Sequence, residues 1–160
     1  MEPAALHDDV VLLLEACSAA FSDRVLAEVR AVVGSDVRFS DGYVFQHLMA
    51  DGIRVTELAE RLGVTQQAAS KQVADLVARG LVEREADPDD RRASRVTLSR
   101  RGQAAVDAAR AARRAMNEEV DELLGPRRAA ALRRHLQAVA DATGALDHMA
   151  ARRLRPETAR

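Results

Sequence analysis

Polar side chains that can hydrogen-bond to the bases of a nucleic acid are concentrated in one short stretch. Gln66, Gln67, Ser70 and Lys71 follow Thr65 at a spacing that a helix brings to one face. The Gln67 amide can bond twice to an adenine edge, and Lys71 can reach guanine O6 and N7 or a phosphate. Thr65 and Ser70 are better placed for phosphate or backbone contacts, which orient a protein on DNA. The stretch therefore favours DNA reading, although any solvated helix face is also polar.

A second charged stretch lies further along the chain. Asp90 and Arg92 are two residues apart, so they can lie on the same side of a strand, where a carboxylate can hold a guanidinium extended. An arginine held in this way at a hairpin tip can enter a narrow minor groove, whose negative potential is enhanced. Arg91 and Arg95 are candidate phosphate contacts. On its own, such a stretch is more often a solvated charged turn.

The elements that must position these side chains are predicted from the helical spacing of apolar residues and from turn residues. The first two are a helix over 5–33 and a helix over 41–50 with Ser40 as its N-cap. A short strand follows at 53–55. A third helix capped by Thr56 and a fourth helix from the Thr65 cap to Arg79 come next. Helix, glycine-containing turn and helix form the helix-turn-helix pattern. In the fourth helix an apolar stripe is expected to face the core, formed by Ala69, Val73, Leu76 and Val77.

The second half of the chain predicts a hairpin followed by two helices. Strands are expected at 81–86 and 95–99, Ser99 caps a fifth helix over 100–124, and Pro126 precedes a sixth over 127–147. Apolar residues recur at helical spacing in both helices: Val106, Ala109, Ala112, Met116, Val120 and Leu123 in the fifth, and Leu132, Leu136, Val139 and Leu146 in the sixth. This apolar surface exceeds what a small reading head needs, which favours a two-fold homodimer over a monomeric bundle.

The stretch over 55–102 resembles the MarR family of bacterial regulators. The residues that carry the resemblance are the recognition helix TQQAASKQVADLVARGLV and the wing DPDDRRASRVTLSRRG. The resemblance implies a mainly α fold with a small β-wing, in a single domain over 1–160. It also implies a winged helix-turn-helix DNA-binding lobe over 35–102, with dimerisation helices over 5–33 and 103–149. In the family, the element that matches Asp90, Arg91 and Arg92 inserts its final arginine into the minor groove.

The resemblance further implies a sequence-specific repressor. It would bind a pseudo-palindromic operator on double-stranded DNA as a homodimer, and a small aromatic or anionic effector would release it. The residues expected to line the effector pocket are Phe21, Phe39, Tyr43, His47 and Met116. Each of these residues is also compatible with plain core or interface packing. No cofactor is expected.

Cys17, the only cysteine, suggests another switch. It lies in the first helix, where some members of the resembled family sense peroxides. However, Cys17 falls on the predicted buried stripe, and a buried cysteine usually behaves as an inert small hydrophobe. A redox-sensing regulator and a protein-interaction module with a degenerate helix-turn-helix are therefore the alternatives to a ligand-released repressor.

Composition and motifs argue against several other classes of protein. The formal net charge is -1, so any charge that binds DNA must be local. The sequence shows no catalytic motif and no ligand spacing for a metal, and the aspartates at 87, 89 and 90 lack the glycine and distal glutamate of a calcium loop. An enzyme and a metal site are therefore not predicted. The apolar run at 10–14 is too short for a membrane span or signal segment, so a cytoplasmic protein is expected.

Overall fold

A short antiparallel sheet packs against helices in the computed structural model, which describes residues 8–49, 52–87 and 94–146. The elements in chain order are α1 (Val10–Val33), α2 (Asp41–Leu48), β1 (Ile53–Arg54), α3 (Val55–Leu62), α4 (Gln66–Ala78), β2 (Val82–Ala86), β3 (Ser94–Leu98), α5 (Arg100–Leu124) and α6 (Pro126–Thr143). The predicted class, mainly α with a small β-wing, is confirmed. The predicted helix residues 5–7 and 147 lie outside the described residues.

The N-caps of α4 and α5 follow the sequence signals. Thr65 Oγ1 accepts a hydrogen bond from the Ala68 amide at 3.2 Å. Ser99 Oγ accepts one from the Gly102 amide at 3.0 Å. Each cap satisfies an amide that the helix itself leaves without a partner, so the starting points of both helices are defined locally.

The predicted N-cap of α2 is confirmed in position but lacks a side-chain bond among the described residues, and the predicted N-cap of α3 is wrong. Ser40 occupies the N-cap position of α2 but makes no side-chain cap bond within the described part of the chain. The Asp41 carboxylate instead accepts the Arg38 amide at 2.8 Å. Thr56 lies inside α3, which already begins at Val55. The physical reason is that β1 runs directly into α3, so the chain leaves the extended conformation before it reaches Thr56.

The hydrophobic core lies where α2, α3, α4 and the sheet meet the adjoining ends of α1 and α5. Its largest fully buried side chains are Leu58, Leu62, Leu76, Leu81, Val44, Val73, Val82 and Val96. Full burial of one such side chain contributes about 1.5–3 kcal/mol relative to leaving it exposed. Because these residues all come from α2 to β3, that part of the chain supplies the most deeply buried side chains of the core.

The buried stripe of α4 is narrower than its sequence predicts. Ala69, Val73 and Leu76 are fully buried, as expected. Val77 is 38% exposed, so its predicted burial is wrong. Successive residues of a helix are rotated by about 100°, which carries Val77 to the edge of a stripe centred on the other three.

The sheet places the hairpin beside the helix-turn-helix. Its strand order is β1-β3-β2, and both pairings are antiparallel. In β3, Val96 pairs with Ile53 on one side and with Arg84 on the other. Val96 is fully buried, and because side chains alternate along a strand, Arg95 and Thr97 lie on the opposite face of the sheet.

The terminal helices leave most of their apolar residues exposed in the single chain. Val29 is buried in α1 and Ala129 in α6. The exposed apolar side chains include Val10, Val11, Leu13, Leu14 and Phe21 in α1 and Leu132, Leu136 and Val139 in α6. Over the described ranges, no helix is long and apolar enough to cross a membrane.

Candidate nucleic-acid interface

The N-terminal half of α4 presents a polar face to solvent. Gln66, Gln67 and Lys71 are exposed, and Ser70 is half-buried beside them. The opposite side of the helix is locked into the core, so these side chains cannot turn inward without unpacking it. The structure therefore brings the predicted base-reading residues of α4 to one accessible surface, where their contacts with DNA remain a prediction.

The start of α4 also suits an anionic group. Thr65 is exposed, and although its Oγ1 accepts the Ala68 amide, the hydroxyl proton remains available for donation. The first turn of α4, which is described in full, contains no acidic residue. The partial positive charge of the first amides is therefore not neutralised by the helix's own side chains, and this favours a phosphate at that end.

An ion pair at the loop end of the hairpin was not expected from the sequence. Arg54 Nε donates to Asp87 Oδ2 at 2.6 Å, and the side chain of Asp87 is only 3% exposed. The pair joins β1 to the end of β2, and so it anchors the hairpin to the helix-turn-helix. No local signal reveals it, because its members lie 33 positions apart in the chain.

Arg95 lies near the loop end of the hairpin, in the same row as Arg54 and Glu85. It is half-buried, and its Nε is shielded from solvent with no hydrogen-bond partner among the described residues. The predicted wing residues Asp90, Arg91 and Arg92 lie outside the described residues. Their proposed contacts therefore rest on the sequence.

An open groove of about 720 Å³ lies between α1 and α2. Phe39 and Tyr43 line it together, with ring centroids 6.1 Å apart and ring planes at 81°. The α1 wall includes Leu14, Ser18 and Leu26. Of the predicted pocket residues, the structure brings these two aromatic side chains to one groove.

The other predicted pocket residues lie elsewhere. Phe21 is exposed on α1, and His47 is half-buried in α2. Met116 is buried in α5 and lines a separate cleft of about 350 Å³ between α1 and α5. The five predicted residues therefore do not share a pocket within the described part of the chain.

Cys17 is exposed, so the prediction that it is buried is wrong. The buried residue of α1, Val29, lies in the C-terminal half of the helix, where α1 packs against α5 and the core. Around Cys17 the described residues do not cover the apolar stripe. Helical spacing correctly identified that stripe but could not tell whether the same chain packs against it.

Comparison with known proteins identifies the fold. The model of the MarR family matches residues 35–93. RV1404 from Mycobacterium tuberculosis superposes with a TM-score of 0.74 at 25% identity, over 90% of this chain and 96% of that one. S. aureus MepR, solved as a DNA complex, gives 0.68 at 18% identity over 84% and 97%. The transcriptional repressor CouR, bound to a 23-mer DNA duplex, gives 0.56 at 26% identity over 88% and 98%. No curated protein matches the chain.

Proposed function

We propose that this chain, whose residues 35–93 match the model of the MarR family, represses transcription as a homodimer on a pseudo-palindromic operator. The observation that carries the proposal is the polar face of α4, which buried side chains on the opposite face hold outward. A helix presented in this way lies in a major groove with its N-terminal residues against the bases. A small effector releases the protein from its operator.

In the proposed complex, Gln67 reads an adenine edge, and Lys71 reads a guanine or contacts a phosphate. Gln66 and Ser70 lie beside them on the same surface and extend the contact. Thr65 and the first amides of α4 donate to a backbone phosphate. The structures of MepR and CouR on DNA support this use of the fold.

The wing supplies the second part of the proposed contact. Arg92 enters the minor groove beside the bound major groove, with Asp90 holding its guanidinium extended. Arg91 and Arg95 contact phosphates on either side. The Arg54–Asp87 pair ties the start of the hairpin loop to β1, which leads directly into α3, so that the two contacts stay in register.

The homodimer is supported by the apolar faces of α1 and α6, because a contiguous exposed apolar surface marks an interaction site. The charges on these helices also favour a second copy. Exposed carboxylates lie on α1 at Glu15 and Asp23, and exposed guanidinium groups lie on α6 at Arg127, Arg128 and Arg134. When α1 of one copy lies against α6 of the other, both the apolar residues and the opposite charges meet. Two recognition helices about 34–36 Å apart then match one turn of DNA.

The groove beside Phe39 and Tyr43 is the proposed effector site. It lies where α1, which the dimer would hold, meets α2, the first helix of the DNA-binding lobe. Glu15 and Asp23 are among its lining residues, so an aromatic effector suits it better than an anionic one. Such an effector releases DNA only to the extent that it binds the DNA-free arrangement more tightly than the DNA-bound one.

Cys17 is exposed in the single chain, and this favours one alternative, release by oxidation, if the second copy leaves the thiol accessible. An accessible thiol can react with a peroxide to give a sulfenic acid. Peroxide would then weaken operator binding by the native protein but not by Cys17→Ser. If both proteins respond alike, or neither responds, this alternative is excluded.

Selection of duplexes from a random pool with the purified protein tests the main proposal. We expect enrichment of an inverted repeat. The logarithm of the affinity for that repeat should fall linearly as the logarithm of the salt concentration rises. Lys71→Ala should reduce the slope by about one if Lys71 contacts a phosphate. Weak binding that is insensitive to salt, with no enriched duplex, would instead favour a protein-interaction module.

A further inference from the structure

The C-terminal end of α4 is held by a cluster of charged residues that we call the arginine hub. It consists of Arg79 and Arg101 with the carboxylates of Asp36, Asp41 and Asp75. Through these residues the hub connects the ends of α1, α2, α4 and α5. The cluster lies far from the polar face of α4, and the proposed DNA contacts do not use it.

Arg79, the residue that follows α4, uses every N–H of its guanidinium. Nη1 donates to Asp41 Oδ2 at 2.7 Å and to the Asp36 carbonyl at 3.0 Å. Nη2 donates to Asp41 Oδ1 at 2.9 Å and to Asp75 Oδ2 at 2.7 Å, and Nε reaches Asp75 Oδ2 at 3.1 Å. A guanidinium offers five N–H donors in a rigid fork, so this set of partners specifies an arginine and cannot be reproduced by a lysine.

Arg101, in the first turn of α5, ties the same end of α4 to α1. Its Nη1 donates to the carbonyl of Arg79, and its Nε donates to the carbonyl of Val33 at 2.8 Å. Its Nη1 and Nη2 also hold the Asp36 carboxylate in the segment between α1 and α2. Arg101 therefore restricts relative movement of the last turn of α1 and the last turn of α4.

Burial makes the contact between Arg79 and Asp41 a strong constraint. The side chains are 12% and 3% exposed, so water cannot readily replace either partner. Hydrogen bonding to Asp41 raises the pKa of Arg79 above its already high usual value, so the guanidinium stays charged. Asp41 Oδ2 also accepts the Arg38 amide at the start of α2, which fixes the carboxylate from the other side. Movement of α4 at this end would leave a buried charge without its partner.

Because the hub holds the opposite end of α4, a small rotation of the helix there displaces the DNA-reading residues. They lie at the N-terminal end of α4, and 13 helical residues span about 20 Å at 1.5 Å per residue. A tilt of about 10° at the hub would move the reading end by roughly 3 Å, which is as long as a hydrogen bond. The hub therefore fixes the angle on which base contacts depend.

We propose that the arginine hub sets the tilt of α4, with Arg79 as a positioning residue for DNA reading and Arg101 as the link that passes movement of α1 and α5 to α4. This inference rests on the proposed function of α4 as the helix that reads DNA. Because Arg79 touches no DNA in this arrangement, the hub governs specificity and leaves the attraction to phosphates unchanged. An effector bound beside α1 would act on α4 through the same residues.

Binding measurements on Arg79→Lys test the proposal against the duplex selected by the native protein and an unrelated duplex of equal length. We expect a loss of about tenfold or more for the selected duplex, a change below about twofold for the unrelated one, and an unchanged salt slope. Arg24→Lys is the matched control, because Arg24 also makes a bidentate pair with a carboxylate, Glu119 of α5, but does not touch α4. Equal losses for both duplexes, or no loss, would overturn the proposal. Arg101→Lys provides a second test if Arg79→Lys does not fold.

A distance measurement separates failure of this inference from failure of the proposed function. Spin labels at Ala68→Cys in α4 and Asn117→Cys in α5, in a Cys17→Ser background, report the angle of α4 without any DNA. Dilution with unlabelled protein restricts the signal to labels in one chain. We expect Arg79→Lys and Arg101→Lys to shift or broaden this distance and Arg24→Lys to leave it unchanged. An unchanged distance in the hub variants overturns the hub, whereas a shifted distance in a protein that selects no duplex overturns only the DNA-binding proposal.

Discussion

The part of the chain from α2 to β3 and the terminal helices α1 and α6 use similar apolar residues but bury them differently. In the first region Leu58, Leu62 and Leu76 are completely enclosed by the same chain. In α6, Leu132 and Leu136 are 38% and 39% exposed at helical spacing. The first region therefore draws its stability from one chain, whereas the terminal helices present a surface that a second copy would complete. Stability of the reading head and assembly of the protein should accordingly respond to different substitutions.

The largest effect is expected from charges placed on the exposed face of α6. Leu132→Glu with Leu136→Glu should produce monomers in sedimentation experiments. Operator affinity should then fall by about 100-fold or more, because the second half-site no longer adds to binding. Val77→Glu is a matched control for the oligomeric state only, since Val77 is 38% exposed and lies on α4 rather than on a terminal helix. A double variant that remains dimeric would contradict the proposed interface.

Truncation of a leucine in each region distinguishes an internal core from an interface. Leu58→Ala should lower the free energy of unfolding by about 2–5 kcal/mol at every protein concentration, because it leaves a cavity in the core. The effect of Leu136→Ala should depend on concentration, because assembly contributes to stability by mass action. Denaturant unfolding over a range of protein concentrations measures both. Identical concentration dependence in the two variants would remove the distinction between the regions.

Within the reading head, Gln67→Ala should weaken discrimination between bases. We expect a loss of about 1–3 kcal/mol against the preferred duplex, with little change in non-specific binding. Gln72→Ala removes the same amide from a half-buried position of α4 away from the polar face, so it should leave discrimination intact. Competition between duplexes that differ at one base pair measures the effect. If both substitutions act alike, Gln67 does not read a base.

The smallest effect is expected at the helix caps. Thr65→Ala should destabilise the protein by about 1 kcal/mol, because the Ala68 amide loses its cap. Ser40→Ala should have little effect, since Ser40 makes no side-chain cap bond among the described residues. Thermal or denaturant unfolding of both variants compares them directly. If Ser40→Ala lowers the free energy of unfolding as much as Thr65→Ala does, the side-chain cap bond does not account for the stability difference.

Most features that depend on near neighbours in the chain were predicted, although the predicted Thr56 cap was wrong. The caps at Thr65 and Ser99 each bond an amide three residues ahead, and Gly63 and Gly80 adopt positive φ angles of 68° and 65° at the ends of their helices. The polar face of α4 follows from helical periodicity in the same way. A side chain that interacts within a few residues carries its signal in the local sequence.

Predictions of burial succeeded only where the same chain supplies the opposing surface. Val73 and Leu76 have such a surface in the core, but Cys17 does not, although all three fall on apolar stripes. Periodicity identifies which face of a helix is apolar, and it leaves open what packs against that face. The five predicted pocket residues are likewise spread over the helical framework, with Phe39 and Tyr43 in one groove and Met116 in another cleft.

The amino-acid sequence by itself determined the order of the elements, the polar face of α4 and the similarity of residues 35–93 to the MarR family. Only the tertiary structure decided how α4 and the hairpin are held. Arg54 meets Asp87 and Arg79 meets Asp41 across 33 and 38 positions of the chain. The spacing of residues in the sequence does not predict such pairs, because their members meet only when the helices pack. The angle of the reading helix depends on that packing.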